Sequence, residues 1–156
     1  MDFVRVRSVA FYVHGKAQTA SSQTPLRRGK EGRFSPMKPL TVMCVDDDAG
    51  IRELYGALLG QNGYEVIAAS NGRHALHVFE SREKDIDAVI LDYEMPGMNG
   101  LELATWLKQR APTLPVMMIS GSHPELEDMA PFVDATVGKG GPLRHILDRL
   151  QVLLAS

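Results

Sequence analysis

Short apolar runs alternate with segments of helical periodicity from Leu40 to the end of the chain, and this alternation limits the fold more than any other feature. Thr41-Val42-Met43-Cys44-Val45 is apolar at consecutive rather than alternate positions, which suits a strand covered on both faces. Ile51, Leu54, Tyr55, Leu58 and Leu59 then recur at helical spacing until Asn62-Gly63 stops the helix. Tyr64 to Ala69 predicts a second strand, and Asn71-Gly72 opens a helix whose apolar stripe is Ala75, Leu76, Val78 and Phe79. Ile86 to Leu91 is a third strand, ending at Asp92. Leu101, Leu103, Ala104 and Leu107 mark a helix halted near Pro112, and Val116 to Ile119 a fourth strand ending at Ser120-Gly121. A weaker helix is expected between Pro124 and about Ala130, where Pro131 discourages continuation. Asp134 to Gly138 is a short fifth strand, and Pro142 starts a last helix through Leu143, Ile146, Leu147, Leu150 and Leu153. Such alternation predicts an α/β fold with a parallel sheet covered on both faces, because right-handed crossovers lay helices on both sides.

In open sheets of this kind the active crevice lies outside the carboxyl ends of the strands. Asp46, Asp47 and Asp48 end the first strand, Asp92 the third, Ser120 the fourth and Lys139 the fifth. Four strands thus deliver polar groups to one rim. Two like charges about 4 Å apart repel by about 4 kcal/mol at an effective dielectric near 20. One lysine cannot neutralise Asp46, Asp47 and Asp92, so the rim calls for a divalent cation. All-oxygen ligands favour Mg²⁺ or Mn²⁺, and no Cys/His spacing suggests zinc. A hard cation beside a carboxylate, with a hydroxyl and an ammonium nearby, describes a phosphoryl-transfer site with a carboxylate nucleophile.

The segments Val45-Asp46-Asp47-Asp48, Leu91-Asp92-Tyr93-Glu94-Met95-Pro96-Gly97-Met98-Asn99-Gly100, Ile119-Ser120-Gly121 and Lys139 follow one another in that order. Over residues ~40–155 the chain resembles the CheY-like receiver domain of two-component response regulators. The resemblance implies a three-layer α/β/α flavodoxin-like fold, with five helices around a parallel sheet of order 2-1-3-4-5. It implies that Asp92 is the phospho-acceptor, carrying a 4-aspartylphosphate. Asp47 would bind Mg²⁺ directly and Asp46 through water, with Asp92 and the backbone carbonyl of Glu94 as further ligands. Ser120 would bond a phosphoryl oxygen, and Lys139 would pair with the phosphoryl group and Asp92. The implied donor is a phosphohistidine on a sensor histidine kinase or histidine phosphotransfer protein. The output would be a protein target or a second copy of the chain.

Two positions depart from the family pattern. Gly140 stands where a proline usually follows the lysine, and Thr136 stands in place of the switch aromatic. They keep a second reading open, a phosphorylation-independent interaction module. A third reading, a haloacid-dehalogenase-like phosphatase with Asp92 as nucleophile, wants an Asp two residues later, where this chain has Glu94. Among the supporting residues, Asp48 reads as a helix N-cap, and Pro96 to Gly100 as the turn leading into the third helix. Cys44 reads as core, and Trp106 as a partly exposed packing residue.

Composition narrows the setting. Of 156 residues, 44% are hydrophobic and 23% charged, as in soluble globular chains. The single cysteine excludes an internal disulfide, and no apolar run approaches the roughly 18 residues of a membrane helix. Residues 1–38 carry eight Lys/Arg against two Asp/Glu, and residues 39–156 carry nine against seventeen. The first stretch reads as a disordered, solvated basic arm, and Met37 as an alternative start; the second reads as the receiver domain. The expectation is a cytoplasmic single-domain receiver that is not an enzyme on a separate substrate. No nucleic-acid or membrane partner is expected, since no room for an output domain follows Ser156.

Overall fold

The computed structural model describes residues 38–121 and 131–156, together with the backbone of four short strands nearer the N-terminus. The chain divides into two compact units, Met1–Pro39 and Leu40–Ser156. In the first, Val9–Val13 pairs antiparallel with Lys16–Ala20, and Leu26–Arg28 pairs antiparallel with Phe34–Pro36. The expectation of a solvated arm over residues 1–38 falls largely on positions outside the described residues. So does the weak helix expected between Pro124 and Ala130.

In the second unit the order is β1 (Thr41–Val45), α1 (Ala49–Gln61), β2 (Glu65–Ala69), α2 (Gly72–Arg82), β3 (Ala88–Asp92), α3 (Gly100–Arg110), β4 (Val116–Ser120), β5 (Ala135–Gly138) and α4 (Arg144–Leu154). The five strands form one parallel sheet in the order β2-β1-β3-β4-β5, the expected 2-1-3-4-5 arrangement. β1, β3 and β4 are buried along their whole length, as their unbroken apolar runs require. Successive side chains on these strands point to opposite faces and so build two cores. Met43, Val45, Val89, Leu91, Val116 and Met118 pack with Phe79, Leu103 and Leu107 on one side. Val42, Cys44, Ile90, Met117 and Ile119 pack with Tyr55, Leu59, Ile146 and Leu150 on the other. Each fully buried Leu or Ile contributes about 1.5–3 kcal/mol, so β3, apolar up to Asp92, anchors the sheet. Cys44 lies in this second core, where burial, reinforced by the charge of Asp46, pushes its thiol up to about 12.

Several element ends differ from the sequence expectation by one or two residues. Tyr64 closes α1 instead of opening β2, because its N–H donates to the Leu59 carbonyl. β3 starts at Ala88 rather than Ile86, since a 3-10 turn over Glu83–Asp85 runs into Ile86 and Asp87 is tied to Thr41. The Thr41 N–H donates to the Asp87 carboxylate at 2.7 Å. Asp134 is likewise held as a cap, accepting from the Val116 N–H at 2.7 Å and from Lys108 Nζ at 2.6 Å. Pro142 and Leu143 form a tight turn ahead of α4, whose i→i+3 bonds join His145 to Pro142 and Ile146 to Leu143.

The loop from β3 to α3 is built for close approach. Gly97 has φ +79°, a conformation that favours glycine. Asn99 caps α3 reciprocally with Glu102, each side chain accepting from the other's N–H at 2.9 Å. The Gly100 N–H donates to the Tyr93 carbonyl at 2.9 Å. A side chain at Gly100 would fall against the Asp92 carbonyl and within 2.8 Å of Tyr93 Cα, both backbone atoms that cannot swing aside. Gly100→Ala is therefore expected to cost on the order of 2–3 kcal/mol of stability, typical of overpacking. Urea denaturation measures this, and a loss under about 0.5 kcal/mol would mean the loop shifts freely.

Candidate functional site

The C-terminal edge of the sheet brings the expected residues together. Asp46 follows β1, Asp92 ends β3, Ser120 ends β4 and Lys139 follows β5. Asp46 and Asp92 are 2% and 1% exposed, burials that a carboxylate tolerates only with partners. Carboxylate oxygens of Asp46, Asp47 and Asp92 lie within 4.8 Å of one another, with Asp47 the exposed member. Lys139 Nζ donates to Asp92 Oδ1 at 2.8 Å. The Glu94 N–H approaches the same oxygen at 3.3 Å. Ser120 is buried at the end of β4, and its carbonyl accepts from the Lys139 N–H at 2.8 Å, so hydroxyl and lysine come from adjacent strand ends. These groups, except Ser120, line a cleft of about 500 Å³ walled by α1 and the β5–α4 loop.

Backbone geometry around the acidic pair is closely determined. Asp48 caps α1 by accepting from the Ile51 N–H at 3.1 Å, as expected. The Asp48 N–H in turn donates to Asp46 Oδ1 at 2.9 Å, and the Asp46 N–H donates to the Ala69 carbonyl at 3.2 Å. After these bonds, Asp46 Oδ2 and Asp92 Oδ2 remain buried without a hydrogen-bond partner. Leaving a buried acceptor so costs about 1–3 kcal/mol, more when it is charged. Three carboxylates offering only oxygen, two with an unsatisfied oxygen, fit a hard dication such as Mg²⁺.

Electrostatics follow from this crowding. Burial pushes the Asp46 carboxyl above its usual range, the Asp48 amide pulls it back, and the Asp92 charge adds to the rise. Burial alone would depress the Lys139 ammonium, but the bond to Asp92 and the charges of Asp92, Asp46 and Glu94 outweigh it and hold it above its ordinary value. Lys139 is thus a permanent cation on Asp92 at neutral pH.

Two further residues at this edge were not singled out from sequence. Tyr55, expected only as apolar stripe, lines the cleft, and burial followed by the Asp46 charge raises its phenol. Arg52 donates from Nη1 to the Asp46 carbonyl at 2.7 Å. Its signal was available: a cation in the first turns of a helix opposes the macrodipole and needs another reason to be there. Gly140 has φ +84° and no peptide bond among the described residues is cis, so the lysine loop turns through glycine here. Thr136 is half-buried on β5, beside a hollow of about 350 Å³ shared with His145, Asp148 and Arg149.

Comparison with known proteins supplies the context for this geometry. A family described as "Response regulator receiver domain" matches residues 42–138. The chain is 34% identical over 119 residues to response regulator MprA of Mycolicibacterium vanbaalenii, covering 74% of this chain and 51% of that protein. It is 32% identical to the phosphate regulon transcriptional regulatory protein PhoB of Pseudomonas aeruginosa, covering 73% and 51%. It therefore spans about half the length of these relatives. Among solved structures, response regulator TrrA of Thermotoga maritima in complex with Mg²⁺ and BeF superposes with TM-score 0.68 and 32% identity, covering 73% of this chain and 98% of that one. TrrA in its complex with histidine kinase ThkA gives TM-score 0.67 and 33% identity, covering 74% and 98%.

The raised Asp46 carboxyl makes stability pH-dependent without metal. Above the ordinary value of 3.8 the unfolded chain loses this proton first, so stability falls as pH rises through the folded value. Asp46→Asn keeps the acceptor for the Asp48 amide and removes the charge. In chelator it is expected to be more stable than wild type at pH 7 by on the order of 1 kcal/mol, the gap closing as pH falls below both values. Urea melts at several pH values read this out, and a variant less stable than wild type at pH 7 would contradict it.

Proposed function

Because the chain belongs to the response regulator receiver domain family, we propose that it is a phosphorylation switch in which Asp92 accepts a phosphoryl group from a phosphohistidine. The observation that carries this reading is the Asp92 carboxylate held at 2.8 Å by Lys139 beside the carboxylates of Asp46 and Asp47. Asp92 attacks phosphorus, the phosphorus–nitrogen bond of the donor breaks, and the imidazole departs with the electron pair, leaving an acyl phosphate on Asp92. Lys139 keeps the attacking group oriented and places positive charge where phosphoryl oxygens arrive. The Ser120 hydroxyl, one strand away, supplies a hydrogen bond to one of those oxygens. Asp46, Asp47 and Asp92, with the backbone of Glu94, are the residues suited to hold Mg²⁺. When bound, the ion would neutralise the carboxylates and the phosphoryl charge. Water later hydrolyses the acyl phosphate, so the domain turns over its own modification and needs no separate substrate.

In this reading the donor is a sensor histidine kinase or a phosphotransfer protein, consistent with the kinase complex known for TrrA. The switch works in the cytoplasm and is read by another protein or by a second copy. Among the described residues no helix is long and apolar enough to cross a membrane. The phosphate adds about -1.5 to -2 charge at the sheet edge and shifts the population of conformers a partner meets. With Thr136 in β5, the readout does not use an aromatic ring at that position.

Incubation with acetyl phosphate and Mg²⁺, followed by intact-mass measurement, tests the proposal. Wild type is expected to gain one phosphoryl group, Asp92→Asn none, and wild type in chelator little. Lys139→Met is expected to slow the gain about tenfold or more. No gain in wild type, or an equal gain in Asp92→Asn, would abandon the switch in favour of the phosphorylation-independent interaction module that Thr136 and Gly140 leave open.

A further inference from the structure

We propose that Arg52 is a positioning residue that sets cation affinity by clamping the peptide between Asp46 and Asp47. The inference rests on the reading of these two carboxylates as the metal ligands. Arg52 lies on α1, is half-buried, and donates from Nη1 to the Asp46 carbonyl at 2.7 Å. Among the described residues it makes no ion pair within 4.0 Å, although three aspartates precede it by four to six positions. Its charge is therefore used on a backbone oxygen. That oxygen belongs to the planar unit joining Asp46 to Asp47, so fixing it fixes the direction in which both side chains leave the strand end.

The other ties on Asp46 complete the clamp. Its N–H is held by Ala69, its Oδ1 by the Asp48 N–H and its carbonyl by Arg52, which leaves Oδ2 as the one oxygen of the residue without a partner. Asp47 is exposed, and among the described residues no hydrogen bond of its own orients it; the shared peptide does so. Ligands aimed in advance bind more tightly than ligands that must be ordered on binding, and groups that orient a metal ligand commonly change affinity about 10- to 100-fold.

Simple electrostatics predicts the opposite sign, which makes the assignment testable. Removing a positive charge near a dication site should tighten cation binding; removing the clamp should weaken it. Calorimetric titration of Mg²⁺ into the full chain, for wild type, Arg52→Gln and Arg52→Lys, separates the two. Arg52→Gln is expected to weaken Mg²⁺ binding about tenfold or more at unchanged stoichiometry, and Arg52→Lys, which can still donate to the carbonyl, to recover most of it. Equal or tighter binding in Arg52→Gln would overturn the clamp. Loss of the circular-dichroism melt in both variants would also overturn it, because Arg52 would then be a prop of the fold. A wild-type chain that takes up phosphate and binds Mg²⁺ alongside an indifferent Arg52→Gln would sink this inference alone. A wild-type chain that binds no Mg²⁺ would sink the metal site and the clamp together.

Discussion

Everything at the functional edge depends on the mutual repulsion of buried carboxylates. Asp46 and Asp92 are almost wholly removed from water, Asp47 stands close by, and one ammonium answers them. A fold gains nothing from such crowding in stability, since buried charges lose hydration that their neighbours only partly replace. The sheet can hold the arrangement because its interior is strong elsewhere. β1, β3 and β4 each contribute a fully buried strand to two cores, and both acidic positions sit at the ends of those strands. Strain at the rim is thus balanced by burial below it. A site in this condition favours whatever brings positive charge or accepts negative charge from it.

Much of this was legible in the sequence, for specific reasons. Strands buried on both faces read as unbroken apolar runs, so β1, β3 and β4 could be placed within two residues, and the topology followed from alternation with helices. Polar residues at the ends of those runs had to meet at one edge, which located Asp46, Asp92, Ser120 and Lys139 without coordinates. The capping role of Asp48 followed from its place before an apolar helical stripe. Element ends were less legible, because they depend on long-range side-chain caps. Asp87 reaches back to Thr41, and Asp134 reaches Val116 and Lys108; neither contact leaves a trace in local periodicity. Arg52 left a trace, a cation at a helix start, but not the identity of its partner. Its partner is a backbone carbonyl six residues earlier, and only a folded helix start puts the guanidinium there.

The lysine loop shows how one requirement can be met by different backbones. Lys139 must point back along β5 at Asp92, and the chain must then turn sharply into α4. A residue with positive φ at Gly140 makes that turn with every peptide trans. Thr136, two residues before the end of β5, leaves a hollow at the strand edge in place of a bulky ring. The site and its surroundings are therefore separable. The acidic edge keeps its carboxylates and lysine together, while the face beyond it takes a different shape.

Cys44 offers a consequence of a different kind. It is the one thiol in the chain, it lies in the middle of the innermost layer, and burial beside Asp46 keeps it from ionising. Alkylating reagents act on the thiolate. Such a reagent would find almost nothing to react with until β1 parts from its neighbours. The rate at which this sulfur becomes modified is then a clock for sheet opening, built into the native chain without any engineered probe.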